Sequence, residues 1–211
     1  MPLLIDVRKL TIINQLIKDG SESVACSLST LAGVDASVDI KSLSFVDPAD
    51  MPAEIGDGKT YSARIRLSEP PYGVFLLTFP PSTAREIAEL MTGRSCDDGI
   101  TDFHRSALEE MCNILTSGFI DGIADTLETT IDMGTPTMAN SPGAELSDKA
   151  LSHVRMDATA IVLDSVVDVA DTETSFGIRM FLVPDPGSFV NVIDMLDLDV
   201  ASAEQEGRAK S

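Results

Sequence analysis

Hydrophobic and polar positions repeat with two different periods along this chain, and each period predicts one kind of element. Apolar residues at helical spacing predict two long helices, roughly at 7–31 and 101–130. Apolar or alternating stretches at 37–45, 60–67 and 158–169 predict strands, the last of them more deeply buried because it is more uniformly apolar. The order of these elements predicts an α+β protein.

One strand–turn–helix unit occurs twice. An apolar run at 73–80 ends in proline and is followed by a helical pattern at 84–91. A second apolar run, at 177–184, also ends in proline and is followed by a helical pattern at 189–196. Proline suits such a turn because it fixes φ and carries no N–H that a strand would need. The repetition predicts a duplicated unit with pseudo-twofold symmetry.

The duplication predicts the domain organisation. Residues 1–200 are expected to form a single domain, with pseudo-repeats at about 1–98 and 99–200. Since neither half could cover its sheet face alone, the two long helices should pack on one shared, mostly antiparallel sheet. The small, polar and charged segment 201–211 is expected to fray as a flexible tail.

Turn-forming residues predict the loops. Clusters of proline, aspartate, serine and glycine at 47–52 and 141–143 predict two connections. Gly93 is expected to end a helix. His104, near the start of the second long helix, is expected at the surface rather than acting as a base.

The charge changes the range of possible partners. The chain carries 34 acidic and 15 basic residues, a formal net charge of -19, and is 44% hydrophobic. A surface this negative repels phosphate backbones, which argues against nucleic-acid binding. The acidity suits a halophilic cytoplasm, such as that of a halophilic archaeon, and an ordinary acidic protein is the alternative.

Cysteine usage and hydropathy exclude further classes. Cys26, Cys96 and Cys112 are an odd number without motif spacing, which argues against a disulfide framework and a zinc site. Apolar runs are far too short for a membrane span, and the beginning of the sequence lacks the pattern of an export signal. A cytoplasmic protein that binds no metal or cofactor of its own is expected.

A narrow polar stripe marks the second long helix. At about 100° per residue, Ser106, Glu110, Asn113 and Ser117 fall on one arc, opposite the apolar positions. Each residue alone is ordinary on a solvent-exposed helix face, although asparagine is a poor helix former. The stripe is therefore a candidate site only if a second signal supports it.

The second signal is a spacing motif. Ser106, three residues, Glu110, two residues, Asn113, 22 residues and Pro136 match, without a gap, the signature of the CheC and CheX phosphatases. Asp102–Phe103 before the helix and the segment 174–187 also resemble this family. The resemblance covers nearly the whole chain, and four positions fixed over 31 residues are far more specific than a lone Glu-x-x-Asn.

The resemblance implies a CheC-like fold and hydrolysis of the aspartyl phosphate of the chemotaxis response regulator CheY. Asn113 would position the attacking water, and Glu110 would pair with the lysine of the regulator's site. Ser106 and Ser117 would contact the regulator, and Pro136 would shape the turn after the helix. The resemblance places the required Mg²⁺ in the regulator, and a CheD-like deamidase is a second candidate partner.

The first half departs from the signature. Its long helix has Asn14, but Thr11 stands where glutamate is expected, Val7 where serine stands and Ser37 where proline is expected. Without the carboxylate that would hold the regulator, this first site is expected to be inactive or weak. Asn14 is then an ordinary surface residue.

Two other functions stay open. The protein could bind phosphorylated CheY, or CheD, without accelerating hydrolysis, as a module related to flagellar switch proteins of the FliM and FliY type. Alternatively the stripe could be a solvated face of a scaffold, which predicts no phosphorylation-dependent binding.

Overall fold

The computed structural model describes residues 7–33, 35–68, 72–126, 128–152, 159–170 and 174–185. The helices are α1 (Val7–Ser27), α2 (Met51–Ile55), α3 (Pro81–Thr92), α4 (Asp102–Thr126) and α5 (Gly143–Leu151). The strands are β1 (Ala36–Val46), β2 (Thr60–Leu67), β3 (Gly73–Phe79), β4 (Thr137–Ser141), β5 (Ala160–Val169) and β6 (Ser175–Pro184). A π-helical turn, Leu28–Ala32, extends α1.

The strands form one sheet in the order β1-β5-β6-β3-β2-β4, and every neighbouring pair is antiparallel. Exchanging the two halves of the chain turns this order into its own reverse. The first strand of each half pairs with the second strand of the other half, and β3 and β6 meet at the centre. The predicted α+β fold with a duplicated, pseudo-twofold unit is therefore confirmed.

The sheet separates two apolar layers. On β2, Ala63, Ile65 and Leu67 join the larger core beneath α1, α3 and α4. The alternate positions of the strand point to the opposite face, because successive side chains alternate across a sheet. There a smaller cluster around Phe181 lies under α2 and α5. The two long helices thus lie together on one face of the shared sheet.

The long helices cross closely because glycine lies at the crossing. A Cβ placed on Gly122 would lie 2.6 Å from the Cα of Gly20 on α1, and one on Gly118 would lie 2.8 Å from the Cα of Val24. Near this crossing Thr126 of α4 donates a 2.6 Å hydrogen bond to Asp19 of α1. The contact holds α4 in a fixed orientation, which determines the face that it presents outward.

Some local predictions were wrong or incomplete. The loop predicted at 47–52 contains a 3-10 turn, Pro48–Asp50, followed by α2. Asp47 caps this turn by accepting a 2.9 Å hydrogen bond from the N–H of Ala49, so the turn-forming residues begin a helix here. β4 and α5 were not predicted. The helix predicted at 189–196, the start of the strand at 158 and the tail at 201–211 lie outside the described residues.

Candidate functional site

A capping box fixes the beginning of α4. The backbone N–H of His104 donates to Thr101 Oγ1 over 3.4 Å, and the N–H of Thr101 donates to His104 Nδ1 over 3.3 Å. The surface position expected for His104 was wrong, since its side chain is only 4% exposed. The physical reason is this reciprocal cap, which turns the imidazole inward and sets the phase of the first turn.

The inner face of α4 is tightly packed. Leu108, Met111, Cys112, Ile114 and Phe119 are all buried in the core shared with α1 and the sheet. Burial raises the pKa of the Cys112 thiol to about 12, with a smaller contribution from Glu109, so this thiol is neutral and no nucleophile. The chemistry available on α4 must therefore come from its outer face.

The outer face carries the polar stripe. Ser106 and Glu110 are exposed, and Asn113 and Ser117 are half-buried at the edge of the packed surface. Asn113 lies three positions after Glu110, so one turn of helix places the carboxylate and the carboxamide as neighbours about 60° apart around the axis. The four predicted site residues thus share one face of one helix, and neither Glu110 nor Asn113 points into the core.

The two central side chains make no competing contacts. Within the described ranges, the side chains of Ser106, Glu110 and Asn113 have no hydrogen-bond or ion-pair partner. Ser117 differs, because its hydroxyl donates to the carbonyl of Ile114 over 3.2 Å. The carboxylate and the carboxamide are free to bind another molecule, whereas Ser117 has its donor engaged by the helix itself.

Further acidic residues extend the stripe toward the end of α4. Asp121 lies four residues after Ser117 and is exposed. Partial burial, and then the negative charge of Asp125, raise the pKa of its carboxyl group. Negative charge therefore accumulates at the C-terminal end of the face, while Asn113 provides a neutral position within it.

Pro136 lies apart from this face. It is half-buried and directly precedes β4, the short edge strand beside β2. Proline has no N–H for a sheet ladder, which fits a position just before a strand begins. Pro136 thus lies outside the helix that carries the polar stripe, and its role in shaping the connection after α4 stays a prediction.

In the first half, Thr11 and Asn14 are exposed on the outer side of α1. They lie three residues apart, as Glu110 and Asn113 do, so the geometry of the face is retained. This face of α1 has Thr11, and so no carboxylate, at the position equivalent to Glu110. Ser37, which stands where the second half has Pro136, is already the second residue of β1.

Several other kinds of site find no support in the described part of the chain. There, no group of three or more His, Cys, Asp or Glu side chains is arranged to hold a metal ion. No helix in those same ranges is long and apolar enough to cross a membrane. The outer face of α4 is thus the site that the sequence and the geometry indicate together.

Sequence reasoning used one residue of this face, Phe103, only as part of the family-like lead-in Asp102–Phe103 and did not place it in the site. Phe103, in the first turn of α4, has 52% of its side-chain surface exposed, and the Arg94 guanidinium carbon lies 4.8 Å from its ring centroid. Phenylalanine is usually buried, so this exposure is unusual. Its spacing of seven residues from Glu110 was the available signal, since two helical turns return to the same face.

Comparison with known proteins shows the family of this chain. Residues 61–157 match the family model described as chemotaxis phosphatase CheX. The CheC1 protein of Halobacterium salinarum, which is provisionally named a CheY-P phosphatase, is 34% identical over 198 residues, covering 93% of this chain and all of the relative. The chain therefore belongs to the CheC/CheX family. Its acidic composition is consistent with a halophilic source.

Solved structures show the same fold. FliY of Thermotoga maritima superposes with a TM-score of 0.75 at 13% identity, covering 91% of this chain and 97% of FliY. CheX of Vibrio vulnificus gives a TM-score of 0.52 at 17% identity, with 80% and 95% of the two chains covered. At such identities the likeness defines architecture only, and the function has to be argued from the site.

Proposed function

We propose that this chain hydrolyses the aspartyl phosphate of the phosphorylated response regulator CheY, using the outer face of α4. The observation that carries the proposal is the pair Glu110 and Asn113. The two are adjacent and outward on a helix held by its buried face, and neither side chain has a partner among the residues that the structure describes. Membership of a chemotaxis phosphatase family, and a relative provisionally named a CheY-P phosphatase, support it.

The reaction requires little from the phosphatase. Water attacks phosphorus in line and the bond between phosphorus and the aspartyl oxygen breaks. The aspartate side chain is regenerated on the regulator, and inorganic phosphate is released with a proton from the water. Catalysis of such a transfer consists mainly of positioning and charge stabilisation. The regulator would supply Mg²⁺ and a lysine at its own site, so this chain needs to add only a group that orients the water.

Asn113 suits that task because a carboxamide both accepts and donates hydrogen bonds and is neutral. Its oxygen would accept from the attacking water, and its N–H would donate to the phosphoryl group or to the metal's bound water. A carboxylate in the same place would repel the phosphoryl oxygens. The half-buried position of Asn113 restricts its rotamers, which favours one orientation of the water.

Glu110 would form an ion pair with the regulator's lysine and so hold the helix in register. It is exposed and can reach a second molecule without moving the backbone. Ser106 would contact the regulator one turn earlier. Ser117, whose hydroxyl is bonded within the helix, would contribute surface shape rather than a donor.

An assay with purified regulator tests the proposal. The regulator is phosphorylated with acetyl phosphate at high salt, and phosphate release is measured with and without this chain. A chain that accelerates release at substoichiometric amounts acts as a phosphatase. The chain with acetyl phosphate alone is the control for direct hydrolysis. An unchanged rate across a range of chain concentrations would overturn the proposal.

The second candidate function is that of a binding module. The likeness of the fold to FliY is the reason to consider it. In that case the chain would bind phosphorylated CheY, or a CheD-like partner, with no change in the rate of hydrolysis. Sedimentation of the chain with phosphorylated and unphosphorylated regulator distinguishes the two functions. Phosphorylation-dependent binding without faster release would favour the module, and no binding in either state would favour a scaffold.

A further inference from the structure

Phe103 has an exposure that the fold does not explain. Among the described residues, only Phe103 and Tyr72 are large hydrophobic side chains with about half of their surface exposed, at 52% and 47%. The two differ in location. Tyr72 precedes β3 and accepts a hydrogen bond from the N–H of Asp185 through its backbone. Phe103 lies in the first turn of α4.

The position of Phe103 links it to the polar stripe. Glu110 lies seven positions after it, which places the two about 20° apart around the helix and about 10 Å apart along the axis. Asn113 lies ten positions after it, at about 80° and about 15 Å by the same geometry. The ring therefore lies on the same face as the proposed catalytic pair, within the footprint of one partner domain.

Local structure holds the ring in place. The capping box of Thr101 and His104 fixes the turn that carries it. Arg94 stacks over the ring, and the loop that carries Arg94 is itself tied down, since the N–H of Cys96 donates to Glu89 over 2.7 Å. An aromatic side chain that is already ordered loses little conformational entropy when it binds.

The charge of Arg94 adds complementarity. It is exposed, and the described part of the chain contains no ion pair to it, in a protein with a net charge of -19. A phosphorylated carboxylate pocket is anionic, so a cation beside the apolar ring would be attracted to its rim. Aromatic residues and arginine are also the residue types that contribute most at protein interfaces.

We propose that Phe103, oriented by Arg94, is a docking contact for the phosphorylated receiver domain, and that it acts on affinity rather than on the chemical step. This inference rests on the proposed function, because it assigns part of the partner's footprint on the same helix face. Its signature is a change in KM with kcat retained.

The test is the pair of variants Phe103→Ser and Tyr72→Ser in the phosphatase assay with acetyl-phosphate-treated regulator. Phe103→Ser is expected to raise KM about tenfold and leave kcat within about twofold, the scale for truncating a central aromatic contact. Tyr72→Ser, which removes an equally exposed aromatic elsewhere, should change neither. Phe103→Tyr should restore most of the affinity, and Arg94→Ser should give an intermediate KM.

The outcomes separate this inference from the proposed function. Should wild type be active while Phe103→Ser shows normal KM, or while Tyr72→Ser raises KM equally, the docking contact is overturned and the phosphatase stands. Should wild type be inactive, binding is measured to regulator carrying beryllium trifluoride, a stable mimic of the aspartyl phosphate. Weaker binding of Phe103→Ser alone then supports the contact, and equal or absent binding overturns it.

Discussion

The two long helices occupy equivalent places in the fold, and they differ mainly on their outer sides. Moving 99 positions along the sequence takes α1 onto α4. Within 13–27, each buried residue of α1 then falls on a buried residue of α4. The pairs are Ile13 on Cys112, Leu16 on Leu115, Ile17 on Thr116, Gly20 on Phe119, Ser21 on Ile120 and Val24 on Ile123. The packing role has been retained although only the pair Leu16 and Leu115 shares its residue type.

The outer faces of the two helices, in contrast, differ in one functional group. Asn14 and Asn113 share both identity and position, but the neighbouring exposed residue is Thr11 on α1 and Glu110 on α4. Packing tolerates many residue types of similar volume, whereas a positioning contact needs one functional group in one place. The comparison therefore suggests that the fold constrains both helices and that the reaction constrains only α4.

The connections that follow the two long helices also differ between the halves. Ser37 is part of β1, which is 11 residues long, whereas Pro136 immediately precedes β4, which is 5 residues long. Because proline cannot donate to a ladder, it limits where the edge strand can begin. The proline of the signature thus accompanies the half with the complete polar pair.

The largest expected effect comes from the shared asparagines. Asn113→Ala should slow dephosphorylation by at least about tenfold, because it removes the group that orients the attacking water. Asn14→Ala makes the identical change on α1 and should leave the rate unchanged. Both rates are measured with the same phosphorylated regulator, and thermal unfolding checks that each variant folds. Equal rates for the two variants would remove the distinction between the helices.

The second largest effect is expected from loss of the Glu110 carboxylate. Glu110→Ala is expected to lower kcat/KM by roughly tenfold, mainly through KM, because it deletes one ion pair to the regulator's lysine. Glu109→Ala removes the same charge from the adjacent position, about 100° round the helix, and serves as the matched control. A loss in Glu109→Ala as large as in Glu110→Ala would indicate a general charge effect instead of a specific contact.

Much of this comparison could be predicted from sequence, because periodicity and spacing encode it directly. Apolar spacing placed Met111, Ile114 and Phe119 inward and left Glu110 outward, as observed. Tertiary effects were harder to predict. The inward turn of His104 depends on a reciprocal cap with Thr101 that no periodic pattern reveals. The roles of the site residues also stay predictions, since geometry shows that they are available and not what they bind.

The strands illustrate a second limit. Aligning the repeated units on Pro80 and Pro184 would match Phe75 with Arg179, yet Phe75 lies in the core under α1 and α4, and Arg179 contacts α2 on the other face. A slip of one residue moves every side chain of a strand to the opposite face of the sheet. The structural alignment of the two halves therefore differs from the alignment on the two prolines by an odd number of residues. β4 (Thr137–Ser141) was missed because the strand is short and its residues are largely polar.

A gain-of-function variant sharpens the comparison further. Thr11→Glu places a carboxylate one turn before Asn14 and so recreates the polar pair on α1. In an Asn113→Ala background this change is expected to raise the residual rate by about twofold to threefold, since a single added contact without the rest of the face positions the partner only weakly. Thr11→Gln, which has similar size without charge, is the control. An unchanged rate would mean that α1 lacks more than the carboxylate.

The smallest effect is expected at a difference between the equivalent strand pairs of the two halves, which are the hairpins β2–β3 and β5–β6. On β5 and β6, Asp164 lies directly opposite Arg179 and accepts its Nε–H over 2.5 Å, whereas the opposed pair Arg64 and Leu76 on β2 and β3 contains no acid. Partial burial alone would raise the pKa of Asp164, but the hydrogen bonds from Arg179 and Ser42 and the positive charge of Arg179 outweigh it and lower the pKa.

Because the folded pKa lies below the unfolded one, the stabilisation by Asp164 is complete above the unfolded value, about 3.9, and is lost as the pH falls through the folded value. The two side chains are 39% and 35% exposed, so solvent screening limits the contribution to less than about 1 kcal/mol. Asp164→Asn should therefore lower Tm slightly at pH 7, and the difference from wild type should shrink as the pH falls through the folded pKa of Asp164. A Tm difference that does not depend on pH would show that Asp164 acts through packing, and the hairpins would then differ in shape rather than in charge.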